Sequence, residues 1–492
     1  MTKVTRIHPV LNRRSTSVDL VVPENFIRAI RESGYIGLST ALAELVDNSL
    51  QAGAKTVDVS VSRDRPEAAP RIVVEDDGSG MNEEDLTACL RFGGSSRFDS
   101  RRSFGRFGMG LPAASLSQAR VVEVTAWQKA SAALRVRLDV DAVAKGDSIS
   151  IEPEAGIAGV ALSGCRVEWM ECDRIHYKRL VWLERLLHKE LGRLFRRFLG
   201  QGFVLRINGR EVSPVDPMLL TAKVNGECAQ LAFEPLRYEI ASESGEVANV
   251  TVSFAILPVA RWHDLDNSSK REVGIVGQGG VSILRAGREI ASGWYLMGQK
   301  RKENYDDWWR CEIEFEPALD EQFGITINKQ GIRPSETLRD ALESDLEAIA
   351  RLLNARVRQA FEEVKFEAAV EGSCRIAAVA DADLPLIRKR GHVAGALSYH
   401  LGADQLTGES MLGLTLKNRD LRVTMNVDHP AFGALYRPLQ EMGDAGLPIR
   451  TALELLFLSL ARSLAAVEPA DADRQELLEA WGLIYGRMLA KS

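Results

Sequence analysis

The 492-residue chain has no C-x-x-C pair among its six cysteines, Cys89, Cys165, Cys172, Cys228, Cys311 and Cys374. That spacing argues against a zinc site and for reduced thiols rather than a disulfide framework. The amino-terminal stretch MTKVTRIHPVLNRRSTSV has no apolar segment of the kind a secretory signal carries. The most apolar run, Thr451 to Val467, contains Glu454 and Arg462 and falls short of a membrane span. Strong charge of one sign is missing too. With 62 basic and 68 acidic residues the net charge is -6, which advertises no general affinity for nucleic acid and leaves room only for local basic patches. Residues 367–492 show no nuclease, helicase or zinc motif, and the chain has no internal repeat or low-complexity tract. What remains is the expectation of a soluble cytoplasmic protein with no membrane contact. Apolar content of 45% and charged content of 26% are those of a globular chain, and the length suggests about three domains.

Against that background one short run stands out. In AELVDNSLQAGA, Glu44 and Asn48 are four residues apart on what reads as a helix, so their side chains share a face. Asp47 lies beside them, while Leu42, Leu45 and Val46 turn to a core. A carboxylate able to polarise water, next to an amide oxygen able to hold a hard cation, suits phosphate hydrolysis. Alone, the pattern is weak, because polar helix faces are common.

Support comes about thirty residues later. The strand-like run Arg71 to Glu75 ends in Asp76, Asp77, Gly78, Ser79, Gly80 and Met81. Two glycines at alternate positions let the backbone turn sharply and approach a flat ligand. The Asp77 carboxylate is then placed to accept a hydrogen bond from an amino group such as that of adenine. The plain alternative is an ordinary Asp-Gly turn. Gly93 and Gly94 next precede Ser95 and Ser96, and Gly105, Gly108 and Gly110 form a G-x-x-G-x-G pattern opening into a helix-like stretch, Leu111 to Gln118. Glycines before a helix N-terminus expose backbone N–H groups to an anion, which makes a phosphate site the physical expectation. No strand-loop-helix unit of the dinucleotide type surrounds them.

Taken together, in this order and spacing, the three elements resemble the GHKL ATPases: DNA gyrase B, the large heat-shock chaperone, MutL-type mismatch-repair proteins, MORC proteins and sensor histidine kinases. The resemblance implies an α+β chain: a Bergerat-type α/β sandwich binding ATP with Mg²⁺, a transducer-like domain of ribosomal S5-like form, and a mixed α/β C-terminal region. It assigns Glu44 as general base, Asn48 as the Mg²⁺ ligand and Asp77 as the partner of the adenine amino group. Gly78, Gly80 and Met81 then shape the adenine pocket, and Ser95, Ser96, Gly105, Gly108 and Gly110 form a lid over the phosphates. A fourth segment, SGCRVEWMECDRI, is similar to the family's G-T-x-V motif, with Gly164 and Cys165 in the key places. Cys165 departs from the usual threonine, and a thiol is the poorer donor. Gln51 likewise replaces an aspartate often found in N-S-L-D-A. The motifs span roughly the first 170 residues.

The kinase branch of the superfamily needs a helical phosphoacceptor histidine. None of His8, His176, His188, His263, His392, His400 and His429 has that setting. The gyrase-like and MutL-like branches instead reach one lysine from a second domain to the γ-phosphate, and Lys329, in FGITINKQGIRP, is the candidate. The other reading of Lys329 is a solvated loop lysine. Nucleotide-dependent homodimerisation, with DNA or a protein as client, is what the resemblance implies for partners, and the client stays open between the two.

Along the chain the expected domains are 1–212, 213–366 and 367–492. The first holds a mixed sheet with helices on one face, a long helix from His176 to Leu199 and a hairpin turning at Asn208-Gly209. That helix carries Arg185, Lys189, Arg193, Arg196 and Arg197. They read either as a contact to a nucleic-acid backbone or, in preference, as a solvated face laced with Glu184 and Glu190. In the second domain Trp309, Cys311, Ile313 and Phe315 alternate as a half-buried strand with Trp308 on its polar side, 261–271 reads as a mobile loop, and 335–366 as a long amphipathic helix. The third offers strand-like runs at 374–380 and 421–427, and a helix at 449–467 that is apolar nearly all round, hence buried in a core or against a second subunit.

Overall fold

Period-two alternation builds the first sheet. In β1 (Thr56–Ser62), Val57, Val59 and Val61 are buried while Ser60 and Ser62 face outward. In β2 (Arg71–Asp76) the inward set is Ile72, Val74 and Asp76. With β3 (Val121–Trp127), β4 (Leu134–Asp139), β5 (Glu154–Ala155), β6 (Gly164–Met170), β7 (Val204–Ile207) and β8 (Arg210–Glu211), these strands form one sheet of order β5-β4-β3-β6-β2-β1-β7-β8. Only β1 and β7 run parallel; the other pairings are antiparallel. This is the mixed sheet expected. The computed structural model describes residues 23–35, 37–65, 67–92, 109–129, 131–144, 151–175, 177, 179–242, 245–325, 331–384, 388–389, 392–393, 397–466 and 471–489.

The helices of this part are α1 (Pro23–Ser33), α2 (Leu38–Gln51), α3 (Glu83–Cys89), α4 (Gly110–Gln118), α5 (Val140–Ala144), α6 (Leu180–Leu194) and α7 (Arg196–Gly200). The expected helix from His176 to Leu199 is thus two helices, broken at Phe195, whose buried ring belongs to the core. α2 packs against α4 and α6, and α6 against β1 and β7. The core holds Leu42, Leu45 and Val46 of α2 with Val57, Val59, Ile72, Val74, Leu183, Leu187 and Leu191. Fully burying one such side chain is worth about 1.5–3 kcal/mol, so this contiguous cluster dominates the stability of the sheet–helix layer.

A second sheet follows, from β9 (Gln230–Leu231), β10 (Leu236–Ala241), β11 (Val247–Ile256), β12 (Val281–Arg285), β13 (Arg288–Gly293) and β14 (Trp309–Phe315). Its order is β10-β11-β14-β12-β13, with β9 pairing β11. β14 is buried on both faces, not one: Arg310 and Glu312 are as enclosed as Trp309, Cys311 and Ile313. Trp308 precedes the strand in a short 3₁₀ turn, and its ring is buried beneath the Lys270 ammonium, 5.9 Å from the ring centroid. The segment read as a mobile loop is largely helical, in α8 (Val259–Trp262) and α9 (Asn267–Val273). A further short helix, α10 (Asp320–Phe323), ends at Gly324.

The chain divides into two compact units: Met1–Leu257 with Asn267–Ala350, and Pro258–Asp266 with Arg351–Ser492. The helix expected over 335–366 continues as α11 (Glu336–Asp381), absorbing the run 374–380 that read as a strand. That run is alanine-rich, and helix propensity wins where no sheet partner is at hand. In the second unit a short pair, β15 (Arg388–Lys389) and β16 (His392–Val393), precedes a three-stranded sheet of β17 (Ser398–Asp404), β18 (Leu412–Lys417) and β19 (Asp420–Asn426), in the order β17-β19-β18. Helices α12 (Arg437–Glu441), α13 (Leu447–Ala466) and α14 (Asp471–Leu489) complete it. α13 is not apolar-buried all round. Ile449 and Leu456 are 58% and 60% exposed, while Glu454 is fully buried and accepts from the Ser373 and Tyr436 hydroxyls. No helix among the described residues is long and apolar enough to cross a membrane.

Candidate functional site

α2 carries the first group of candidate residues. Its sequence, LSTALAELVDNSLQ, is rich in alanine and leucine, and the fold buries most of it. Glu44 is only 4% exposed and Asn48, one turn on, is half-buried. The Glu44 carboxylate lies against Gly110, the first residue of α4, so closely that any side chain at Gly110 would overlap it. The open N–H groups and positive dipole end of a helix favour an anion at that point. Tyr35, itself buried, hydrogen-bonds to Glu44. Burial first, then the Glu44 and Asp47 charges, push the Tyr35 hydroxyl far above its ordinary range, so it stays a donor. Asp47 is 0% exposed, and its charge is met by Arg288 of β13 at 3.3 Å.

The end of β2 supplies the second group, and its two aspartates sit in different surroundings. Asp77, placed by the sequence against an adenine amino group, is exposed, and its Oδ1 accepts from the Lys55 and Thr56 amides at 2.8 and 2.9 Å. It staples the start of β1. Its neighbour Asp76 follows Ile72 and Val74 on the inward face of the strand, as alternation requires. Asp76 accepts from the Ser49 hydroxyl at 2.8 Å and the Gly78 amide at 2.9 Å. Burial raises the Asp76 carboxyl above the usual range, opposed by those donors and by the main chain of Cys165. α2 and β2 thus meet through a carboxylate that the sequence reading left unused.

Around Asp76 the backbone is crowded. Gly80 has φ +67°, and a side chain there would overlap the Trp127 carbonyl; one at Gly78 would press on Ala52 and on Asp76 itself. Met81 packs at the margin of the core. Cys165 pairs with Asp76 across β2 and β6. Its thiol is pushed well above the ordinary value by burial and by the Asp76 charge, which keeps it a neutral, weak donor. Ser95, Ser96, Gly105, Gly108 and Lys329 lie outside the described residues.

The basic helix resolves differently from both of its sequence readings. Arg193 pairs with Glu289 at 2.8 Å, Arg196 with Glu289 and with Glu312 (2.6 Å), and Arg197 with Glu312 at 2.5 Å. Three of its five cations are therefore engaged by carboxylates of the second sheet. Arg185 stacks on the exposed Trp182 ring, 5.6 Å from its centroid. Sequence reasoning missed Tyr35, Ser49, Asp76 and Arg288. Only Asp76 had a local signal, the alternation of RIVVED.

Known proteins similar to this chain match parts of it. Residues 36–160 match the family described as histidine kinase-, DNA gyrase B-, and HSP90-like ATPase. Protein MICRORCHIDIA 4 of Arabidopsis thaliana is 35% identical over 74 residues, 14% of this chain and 9% of that protein. DNA mismatch repair protein MutL of Halobacterium salinarum is 32% identical over 128 residues, 25% of this chain and 18% of that protein. MORC family CW-type zinc finger protein 1 of Homo sapiens is 33% identical over 111 residues, 22% of this chain and 11% of that protein. The matched stretches cover less than a fifth of each relative's length.

Proposed function

We propose, from the premise that residues 36–160 belong to the GHKL ATPase superfamily, that this chain hydrolyses ATP and uses the cycle to open and close a molecular clamp. The observation that carries the reading is the enclosed Glu44 carboxylate, one turn before Asn48 and against the first residue of α4. Glu44 takes a proton from a water whose oxygen bonds to the γ-phosphorus, while the bond from that phosphorus to the β,γ-bridging oxygen breaks and ADP leaves. Tyr35 holds Glu44 in place by donating to it. Asn48 offers an amide oxygen one turn from the Glu44 carboxylate, and oxygen ligands fit a hard cation. Mg²⁺ held there by Asn48 and the nucleotide's phosphates would supply charge neutralisation on the transferred group.

Asp76, in place of Asp77, takes the adenine amino group in this reading, with Ser49 and Gly78 orienting it. Asp76→Asn is expected to weaken ADP binding about 10- to 100-fold, the worth of a hydrogen bond to a charged acceptor. Asp77→Asn should leave affinity near wild type. Calorimetric titration of ADP into both variants decides, and the reverse order would return the role to Asp77.

The lid is formed by Ser95, Ser96, Gly105, Gly108 and Gly110, and Lys329 of the transducer-like domain joins the γ-phosphate. Lys329→Ala is expected to lower turnover about 10²-fold, as loss of one group opposing developing charge does elsewhere, with little change in ADP affinity. Turnover at the wild-type rate would make it a solvated loop lysine. Domains at 1–212, 213–366 and 367–492 and a nucleotide-dependent homodimer belong to the same proposal. DNA is the client favoured here, because one matched relative is a DNA mismatch repair protein. A partner protein is the second reading, since the Arg193, Arg196 and Arg197 charges are already engaged. ATPase rates with and without DNA, at two salt concentrations, separate the two. A DNA clamp is stimulated, and the stimulation fades steeply with salt.

A further inference from the structure

Three buried arginines sit on adjacent strands of the second sheet, and two of them have carboxylates. Arg285 of β12 pairs with Asp320 at 2.7 Å, and Arg288 of β13 with Asp47. Arg310 of β14, 2% exposed, has none among the described residues. Its η nitrogens donate to the carbonyls of Asp307, Trp309, Gly274 and Ile275, and its Nε has no hydrogen-bond partner. A buried cation with no ion-paired carboxylate is costly, and the Asp307 charge nearby opposes that cost only in part, so an anion would be favoured at its Nε.

Arg310 lines a cavity of about 300 Å³. Arg193, which also pairs with Glu289, and Lys302, 3.7 Å from the Asp307 carboxylate, line it too, and none of its lining residues is itself acidic. The floor is a glycine turn, Gly277 to Gly280, held from outside by Asp307, whose carboxylate accepts the Gly277 and Gly279 amides at 3.2 and 3.3 Å. Gly280 has φ +145°, and a side chain there would press on the Gly293 carbonyl, so the turn packs directly on the end of β13. Burial pushes the Arg310 guanidinium down to about 10, resisted by Asp307 and reinforced by Arg193. It remains charged at neutral pH.

We infer that this cavity is a second anion site, separate from the Glu44–Asp76 residues, which takes a small phosphate-bearing ligand. Cations on α6, on β14 and at residue 302 reach it from three chain segments, an arrangement that suits a tetrahedral dianion better than a planar carboxylate. The volume leaves room for a substituent on the phosphate.

The test is titration of inorganic phosphate into the full chain at constant ionic strength, in the absence and presence of a saturating non-hydrolysable ATP analogue, with citrate as carboxylate control. Phosphate should bind in both states, outcompete citrate, and slow hydrogen exchange in the peptide covering 277–281. Lys302→Gln, at a partly exposed side chain, should weaken it about tenfold, the loss of one charge-assisted bond. Arg310→Gln should abolish it, and if that variant does not fold, Lys302→Gln decides. The site is wrong if phosphate fails to bind, if the ATP analogue displaces it, or if Lys302→Gln binds it as tightly as wild type. Equal binding of citrate overturns the phosphate assignment.

Discussion

Glu44→Gln is expected to reduce ATP turnover by about 10²- to 10⁴-fold, the usual contribution of a positioned general base. Nucleotide binding should persist. The amide has the shape of the carboxylate it replaces beside Gly110, and it still offers an oxygen to the Tyr35 hydroxyl. Only the ability to accept the water's proton is lost. Glu44→Ala is the blunter experiment, because it also removes Tyr35's acceptor in a buried place. Phosphate release under saturating ATP, alongside ADP titration of the same preparation, gives the answer. A glutamine variant turning over at the wild-type rate would remove Glu44 from the chemistry and leave it a buried partner of Tyr35 and α4.

How far the sequence reached can be followed residue by residue. Glu44 and Asn48 were readable as helix-face neighbours because i,i+4 spacing is a local property, and α2 places them one turn apart. The mixed first sheet followed from short alternating runs. Asp76 was equally local but was passed over: attention to the Asp-Gly turn favoured Asp77, whereas the strand's own period already turned Asp76 inward with Ile72 and Val74. The partners of α2, α6 and α7 were of another kind. Arg288 lies 241 positions from Asp47, and Glu312 lies 116 from Arg196. No periodicity within a helix announces a carboxylate arriving from a different sheet. Lacking that knowledge, a row of arginines reads as solvated. The run 374–380 misled for the opposite reason: its local pattern was ambiguous, and only the continuation of α11 settled it as helix.

Those long-range pairs make the second large prediction. Arg196 sits between Glu289 and Glu312, and all three side chains are buried. Burial works against its charge, yet the two carboxylates outweigh it and raise the guanidinium's pKa, so Arg196 stays charged throughout the neutral range. Arg196→Met removes the central cation. Glu289 keeps Arg193, and Glu312 keeps Arg197, but each loses its most enclosed partner. Breaking a buried pair from one side costs about 3–5 kcal/mol, and the surviving outer arginines place this case near the lower figure. Urea unfolding followed by far-ultraviolet circular dichroism should show the loss as a lower midpoint at unchanged slope. Replacing Arg196, Glu289 and Glu312 together by apolar residues of similar volume should restore much of it, because the desolvation of three charges disappears with them. An Arg196→Met variant as stable as wild type would mean that the outer arginines alone satisfy both glutamates. The second sheet would then be held by the Arg193–Glu289 and Arg197–Glu312 pairs, with Arg288 and Asp47 as a further charged link to the helix that carries Glu44.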